Sequence, residues 1–298
     1  MIIVAHPKDT VMSEFIDALF DPNIAFLRNA LFAGLLASLS FGIIGSYVVV
    51  KRISYIAGAI SHCVLGGIGA ALYIQGHYGI TWFTPTVGAI TSALAAALII
   101  GLVSLKSKER EDSVIGALWV LGMAVGILLI SKTPGYIDPM SYLFGNILLI
   151  TTDDLWTIAL LDGFIVTAGI LLYNKLLSTC FDEEFARLRG INTSFYYLLL
   201  LCLTALTIVL MVRIVGIVMV VALLTLPAAI AGKFAKRLWQ MMVASIIISM
   251  LCITGGLAIS YGPNLPSGAT IVALAGSIYL LMIVFSNLRK YIFSNKPS

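Results

Sequence analysis

The chain has 298 residues, of which 60% are hydrophobic and only 11% are charged, with a formal net charge of +4. This composition excludes an ordinary water-soluble domain. Its apolar runs repeat along the chain, and each is long enough to cross a bilayer as a helix of about 20 residues. Short, evenly spaced alternating segments, which are typical of a β-barrel, are missing. We therefore predict an all-α, polytopic transmembrane helical bundle.

The same composition excludes several other classes of protein. No cluster of Lys and Arg with interleaved aromatic residues points to nucleic acid. The four cysteines lie far apart without a CxxC pair, which gives no support to a disulfide framework or a zinc ribbon. The first residues lack the basic and apolar regions of a cleaved signal peptide.

The first 28 residues form a mixed, amphipathic N-terminal segment. Residues 13–20 are predicted to form a short helix at the membrane surface, with a poorly ordered leader as the alternative. The transmembrane domain is expected to occupy residues 29–298. Nine spans are predicted in it, at 29–50, 56–76, 84–105, 113–132, 153–174, 194–212, 215–232, 239–261 and 268–288.

The count of nine depends on residues 194–232, where only Arg213-Ile-Val separates two apolar runs. If this stretch is one long span or a broken hairpin, the count becomes eight. Another apolar segment, 136–149, is too short to span and is predicted to be a re-entrant or interfacial turn.

The basic residues indicate the orientation, because cytoplasmic loops carry an excess of Lys and Arg. With nine spans and the N-terminus outside, 14 of the 18 basic residues fall on the inner face. We therefore predict an N-out, C-in topology. The set is Lys51, Arg52, Lys106, Lys108, Arg110, Lys175, Arg187, Arg189, Lys233, Lys236, Arg237, Arg289, Lys290 and Lys296.

The longest polar inner loop, 179–193, is predicted to be a short amphipathic helix. Phe181, Phe185 and Leu188 share one face, and Gly190 is a suitable C-terminal stop. This face could dock a partner or rest on lipid headgroups, and the sequence does not separate the two.

His62, in the second predicted span, is the first candidate functional residue. An ionisable side chain at bilayer depth is costly and is a functional-site hypothesis by default, and neutral imidazole is a common metal ligand. Gly58 and Gly66 lie one turn before and after it on the same helical face. This stripe could line a narrow passage or let another helix pack closely. A hydrogen-bonded packing role for His62 is the alternative.

Asp162 is the other ionisable residue inside a predicted span. It should face the bundle interior or water, because a carboxylate at mid-span costs about 2.5–3.5 kcal/mol on insertion scales. It could pair with His62, line a cation path or accept a hydrogen bond from a Ser or Thr. Sequence patterns for a phosphate-binding loop, a zinc protease helix and a nucleophile elbow are all missing, so we predict that the chain is not an enzyme.

Several segments in order resemble the membrane permeases of ABC importers for manganese, zinc and iron, the ABC-3 family. The residues that carry the resemblance are Gly45-Ser-Tyr-Val-Val-Val-Lys-Arg-Ile-Ser-Tyr55, Ala59-Ile-Ser-His-Cys-Val-Leu65, Ser141-Tyr-Leu-Phe-Gly-Asn146, Thr151-Thr-Asp-Asp-Leu155, Thr204-Ala-Leu-Thr207, Val215-Gly-Ile-Val-Met-Val-Val-Ala-Leu-Leu-Thr-Leu-Pro-Ala-Ala229, Thr254-Gly-Gly-Leu257 and Pro266-Ser-Gly268.

The resemblance implies a permease subunit that imports a divalent metal ion across the bacterial inner membrane and holds no intrinsic cofactor. It implies a homodimer in membrane lipid, a separate cytoplasmic ATPase and an extracytoplasmic metal-binding protein. It also implies that the segment from Pro227 to Trp239 contacts the ATPase, with Lys233, Phe234, Lys236 and Arg237 as coupling residues. A permease for a siderophore or vitamin B12, or an ion-coupled secondary transporter, are the alternatives.

The chain departs from the family pattern at two positions. Many members carry Asp four residues before the histidine, where this chain has Gly58, and Asn146 replaces a usual Asp. The carboxylate–imidazole pair of the family therefore cannot be carried over intact. Either Asp162 or another polar group replaces the carboxylate, or the metal passes with fewer protein ligands. His62 is predicted to act as a gate or transit ligand, because an ion in a conducting path must also be released.

Overall fold

The computed structural model describes residues 11–21, 24–106, 110–135, 139–145, 147, 150–263 and 265–294. This part of the chain is helical and contains no strand, which confirms the predicted all-α class. Its helices are α1 (Val11–Phe20), α2 (Ala25–Lys51), α3 (Ser54–Tyr78), α4 (Pro85–Lys106), α5 (Glu111–Lys132), α6 (Pro139–Phe144), α7 (Thr152–Leu171), α8 (Tyr173–Phe181), α9 (Glu183–Leu188), α10 (Thr193–Val215), α11 (Val220–Ala231), α12 (Leu238–Tyr261) and α13 (Ser267–Ser294).

Eight of the described helices are long and apolar enough to cross a membrane: α2, α3, α4, α5, α7, α10, α12 and α13. The predicted span at 215–232 is wrong. Gly216, at a φ of 82°, ends α10, and the chain turns before α11 begins at Val220. The 12 residues of α11 rise only about 18 Å, against about 30 Å of hydrocarbon.

One end of the bundle is defined by contacts around Gly145, and we call it the Gly145 end. The N–H groups of Ile217 and Val218 donate to the carbonyls of Tyr142 and Leu143, at 3.2 and 3.1 Å. A Cβ on Gly268, at the start of α13, would lie 3.2 Å from the carbonyl oxygen of Val215. The ends of α6 and α10 and the start of α13 therefore meet here.

The opposite end is defined by Lys51, the last residue of α2, and we call it the Lys51 end. Its ammonium group forms an ion pair with Glu183 of α9 and donates to the carbonyl oxygen of Thr179 at 3.2 Å. Arg187 donates from Nε to Thr193 Oγ1 at 2.9 Å, which brings the start of α10 to the same end.

The directions of α11 and α12 are compatible with the predicted N-out, C-in topology, although only eight of the described helices are long enough to span. A Cβ on Gly45 of α2 would lie 3.7 Å from that of Ala228, so the last turns of α11 lie near the Lys51 end. A Cβ on Gly42 would contact Ile246, and one on Gly34 would contact Ile253. Because α2 and α12 thus run antiparallel, α12 begins at the Lys51 end. The short α11 therefore leads the chain back to the Lys51 end, as a full-length span would. The N-out, C-in orientation stays a prediction.

Glycine contacts bring α3 unusually close to two neighbours. A Cβ on Gly67 of α3 would overlap the carbonyl oxygen of Gly88 of α4. On the other side, Cβ atoms on Gly122 and Gly126 of α5 would lie 2.7 Å from the Cα of Cys63 and 2.6 Å from the carbonyl carbon of Leu65. Such contacts occur where small residues let helix backbones touch.

The N-terminal segment contains the predicted short helix, α1, while residues 1–10 lie outside the described part of the chain. Phe15 and Ala18 are buried, and the Phe15 ring contacts Tyr261 of α12 edge-on, with 6.3 Å between ring centroids. One face of α1 therefore packs on the bundle. The following span begins at Ala25, four residues before the predicted start.

The predicted helix at 179–193 is not continuous: its first residues are the end of α8 (Tyr173–Phe181), and α9 (Glu183–Leu188) follows. Asp182 interrupts it, and its carboxylate accepts from the N–H of Phe185 at 2.9 Å to cap α9. Gly190, at a φ of 75°, follows the end of α9 and confirms the predicted stop. The apolar side chains of the predicted face, Phe181, Phe185 and Leu188, are all exposed.

Candidate functional site

His62 lies in the first half of α3 and faces α5. Its imidazole stacks on the indole of Trp119, with 4.8 Å between ring centroids and an interplanar angle of 24°. The ring is half-buried, and its Nδ1 atom is buried without a hydrogen-bond partner among the described residues. A buried unpaired nitrogen costs free energy, which makes this atom a candidate for binding a ligand.

The glycine stripe around His62 is the surface that receives α5. A Cβ on Gly58 would lie 2.6 Å from the Trp119 ring, and one on Gly66 would lie 3.1 Å from the carbonyl oxygen of Gly122. The indole therefore occupies the space next to Gly58, where the sequence resemblance led us to look for a carboxylate. Trp119 could not be singled out from the sequence, because an aromatic residue in an apolar span carries no signal of the surface that it contacts.

Asp162 lies on α7, is 3% exposed, and has its hydrogen bonds with α2. Its Oδ1 accepts from the backbone N–H of Ser40 at 3.1 Å and from the Ser40 hydroxyl. Of the three roles left open for Asp162, the structure shows the hydrogen bond from a serine. It does not show a pair with His62, whose ring stacks on Trp119. A place for Asp162 on the ion path stays a prediction.

No group of three or more His, Cys, Asp and Glu side chains in the described residues is arranged to hold a metal ion. Among these residues, His62 is therefore not part of a cluster of three or more such side chains. Asn146, the other position of the family comparison, lies outside the described residues.

The predicted coupling residues lie in the connection between α11 and α12. The Lys233, Phe234, Lys236 and Arg237 side chains are all exposed. The connection is ordered by Gln240, whose side-chain oxygen accepts from the N–H groups of Lys236 and Arg237, both at 3.2 Å. Because α12 begins at the Lys51 end, these residues share an end with Lys51.

A cavity of about 500 Å³ opens at the Lys51 end, between the ends of α2 and α4 and the starts of α3, α5 and α10. Its wall is charged, with Lys51, Glu111 and Glu183 among its lining residues, and Tyr55 lines it where α3 begins. The Tyr55 ring lies 5.5 Å from that of Trp119, so the cavity reaches the aromatic group that covers His62.

Comparison with known proteins agrees with this architecture. The family model for the ABC 3 transport family matches residues 23–286, which include all eight spans. The chain belongs to this family. The assignment makes it a transport permease rather than an enzyme, and a multi-pass protein of the bacterial cytoplasmic membrane.

Several members are similar to the chain over nearly its whole length. A probable metal transport system membrane protein of Chlamydia trachomatis is 40% identical over 274 residues, 92% of each chain. The manganese transport system membrane protein MntC of Listeria monocytogenes is 33% identical over 272 residues, 91% of this chain and 95% of that one. The solved structure of PsaBC from Streptococcus pneumoniae, in complex with Fab, matches with a TM-score of 0.80 and 32% identity, and covers 91% of this chain and 94% of that chain.

Proposed function

We propose that this ABC 3 family protein is the membrane permease subunit of an importer of divalent metal ions, with manganese as the first candidate beside zinc and iron. The observation that carries the proposal is the similarity to metal and manganese transport proteins over about nine-tenths of the chain. The ion is the substrate of this subunit, and ATP hydrolysis belongs to a separate protein.

The Lys51 end faces the cytoplasm in this proposal, with the N-terminus outside. Support comes from the basic residues, because Lys51, Arg187 and the connection between α11 and α12 share this end. The exposed Lys233, Phe234, Lys236 and Arg237 are the contact for the ATPase. The complex contains two copies of the permease, and an extracytoplasmic metal-binding protein delivers the ion at the Gly145 end.

His62 is the proposed transit ligand. A single imidazole with an unpaired nitrogen binds a divalent ion weakly, which suits a path that must release the ion quickly. Gly58 supplies no second ligand, so affinity for the ion should depend mainly on the delivery protein. Asp162 is the second candidate for the path.

The test is uptake of radioactive manganese into proteoliposomes that contain the permease, its ATPase and the metal-binding protein. We expect uptake that requires ATP, with zinc and ferrous iron measured in parallel. Uptake without the ATPase would instead indicate a secondary transporter. Uptake of a metal chelate or vitamin, but of no free ion, would also refute the proposal.

A pair of histidine variants tests the transit ligand. His62→Ala should reduce the rate of uptake about tenfold, the change expected if its ligation lowers the transport barrier by about 1.4 kcal/mol. His77→Ala is the matched control, because His77 lies on the same helix but is exposed and stacks on Tyr73. Equal rates in both variants would remove His62 from the path and leave the transport function standing.

A further inference from the structure

The geometry points to Trp119 as a gate that separates His62 from the cavity at the Lys51 end. This inference rests on the proposed function and adds a residue that controls passage. The Trp119 ring lies between two others: its centroid is 5.5 Å from that of Tyr55 and 4.8 Å from that of His62. Tyr55 lines the cavity, and His62 lies at the other end of the series.

The position of the indole explains why it closes this route. Tyr55, Gly58 and His62 are spaced along one face of α3, and Trp119 lies over all three. Its six-membered ring fills the space that Gly58 leaves open, at 2.6 Å from the site of a Cβ. An ion that moves from His62 to the cavity along this face must displace the indole.

The side chain of Trp119 can move away without separating the backbones of α3 and α5. One turn further along α5, Gly122 contacts Gly66 of α3, and another turn along, Gly126 contacts Leu65. Close-packed backbones do not slide continuously. The outer face of α5 is open, since Val120 and Leu121 are 65% and 60% exposed. Rotation of the indole toward that face would uncover His62 and its unpaired Nδ1 atom.

Leak measurements test the gate separately from driven transport. In proteoliposomes without ATP, Trp119→Ala should raise the downhill flux of manganese about tenfold over the wild-type complex, which corresponds to a barrier lowered by about 1.4 kcal/mol. Trp119→Phe, which keeps a smaller ring, should give an intermediate flux. Trp156→Ala is the matched control, because Trp156 is 70% exposed on α7 and stacks on no described ring.

Fluorescence tests the same gate in a protein that keeps its indole. With Trp82, Trp156 and Trp239 replaced by Phe, Trp119 is the sole tryptophan of the chain, and excitation near the red edge of its absorption avoids the tyrosines. Titration of the purified permease chain with manganese should change the Trp119 emission, because ligation of His62 would break the stack. The change should vanish in the same protein with His62→Ala.

The outcomes separate the gate from the transport function. The gate alone is overturned if the wild-type complex shows ATP-driven uptake but Trp119→Ala shows no increased manganese leak, or if manganese leaves the Trp119 emission unchanged. A wild-type complex without ATP-driven uptake of any of the three ions would overturn the proposed function, and the gate with it. If Trp119→Ala does not assemble, Trp119→Phe and the emission of the sole indole decide.

Discussion

The hydrogen bonds between Ser40 and Asp162 should fasten α7 to α2, and loss of one of them should be measurable. Ser40→Ala removes the hydroxyl donor but leaves the backbone N–H bond to the carboxylate. A hydrogen bond to a charged group contributes about 1.5–3 kcal/mol, and one between neutral groups about half as much. We therefore expect a loss of about 1–3 kcal/mol in the free energy of unfolding.

Ser46 provides a control on the same helix. Both serines are fully buried, but the Ser46 hydroxyl donates only to the carbonyl of Gly42 in its own helix, at 2.6 Å. Ser46→Ala should therefore change stability by no more than about 0.5 kcal/mol, the scale of helix propensity differences. Hydropathy and burial do not distinguish these two serines, but their hydrogen-bond partners do.

Thermal unfolding of the detergent-solubilised protein is the assay. A loss of about 2 kcal/mol should lower the Tm of Ser40→Ala by about 3 °C, because the entropy of unfolding of a chain of this length is about 0.6 kcal/mol/K. Equal Tm values for Ser40→Ala and Ser46→Ala would refute the anchoring role of the pair. Asp162→Asn in the uptake assay then tests the ion path. If Asp162 only anchors α7, uptake per assembled complex stays at the wild-type rate while the Tm falls.

Three further predictions concern other parts of the bundle. Gly67→Ala should lower the stability by about 1–3 kcal/mol because its Cβ meets the backbone of α4; Gly163→Ala, with open space around it, should not lower the Tm at all. Lys51→Met and Glu183→Gln should each loosen the attachment of α9 to α2. In a double-mutant cycle measured by protease cleavage at α9, the two residues should have a coupling energy of about 0.5 kcal/mol or more. Purely additive effects of the two substitutions would contradict the ion pair. Burial raises the pKa of Cys180 from 9.0 to about 11. In a variant with Cys180 as its sole cysteine, alkylation should therefore reach half its maximal rate near pH 11. A midpoint near pH 9 would contradict the burial of this thiol. Because the neutral thiol is favoured in the fold, its contribution to stability is complete below pH 9 and is lost as the pH rises through about 11.

Hydropathy predicted most of the spans, because each long apolar run leads to one helix. The error at 215–232 came from Gly216, whose positive φ ends α10 inside an apolar stretch that hydropathy cannot divide. Asp182 had a similar effect on the predicted amphipathic helix, since an acidic residue within a helical pattern can also cap the next helix. Local backbone geometry, rather than composition, decided both boundaries.

The candidate site was predictable only in part. His62 stood out because an imidazole in an apolar helix is expensive, and the family comparison drew attention to Gly58 for the carboxylate it lacks. Trp119 and Ser40 were not predictable, because each matters through a contact with a residue more than 50 positions away. One sequence without a structure does not say which faces of two apolar helices meet.

The glycine contacts of α3 have a consequence for how this subunit can move. With Gly67 against Gly88 on one side and Gly126 against Leu65 on the other, α3, α4 and α5 have no room to shear past one another. They should behave as one rigid body during the transport cycle. Any conformational change that ATP drives must therefore carry the whole trio, with His62 inside it, relative to the rest of the bundle.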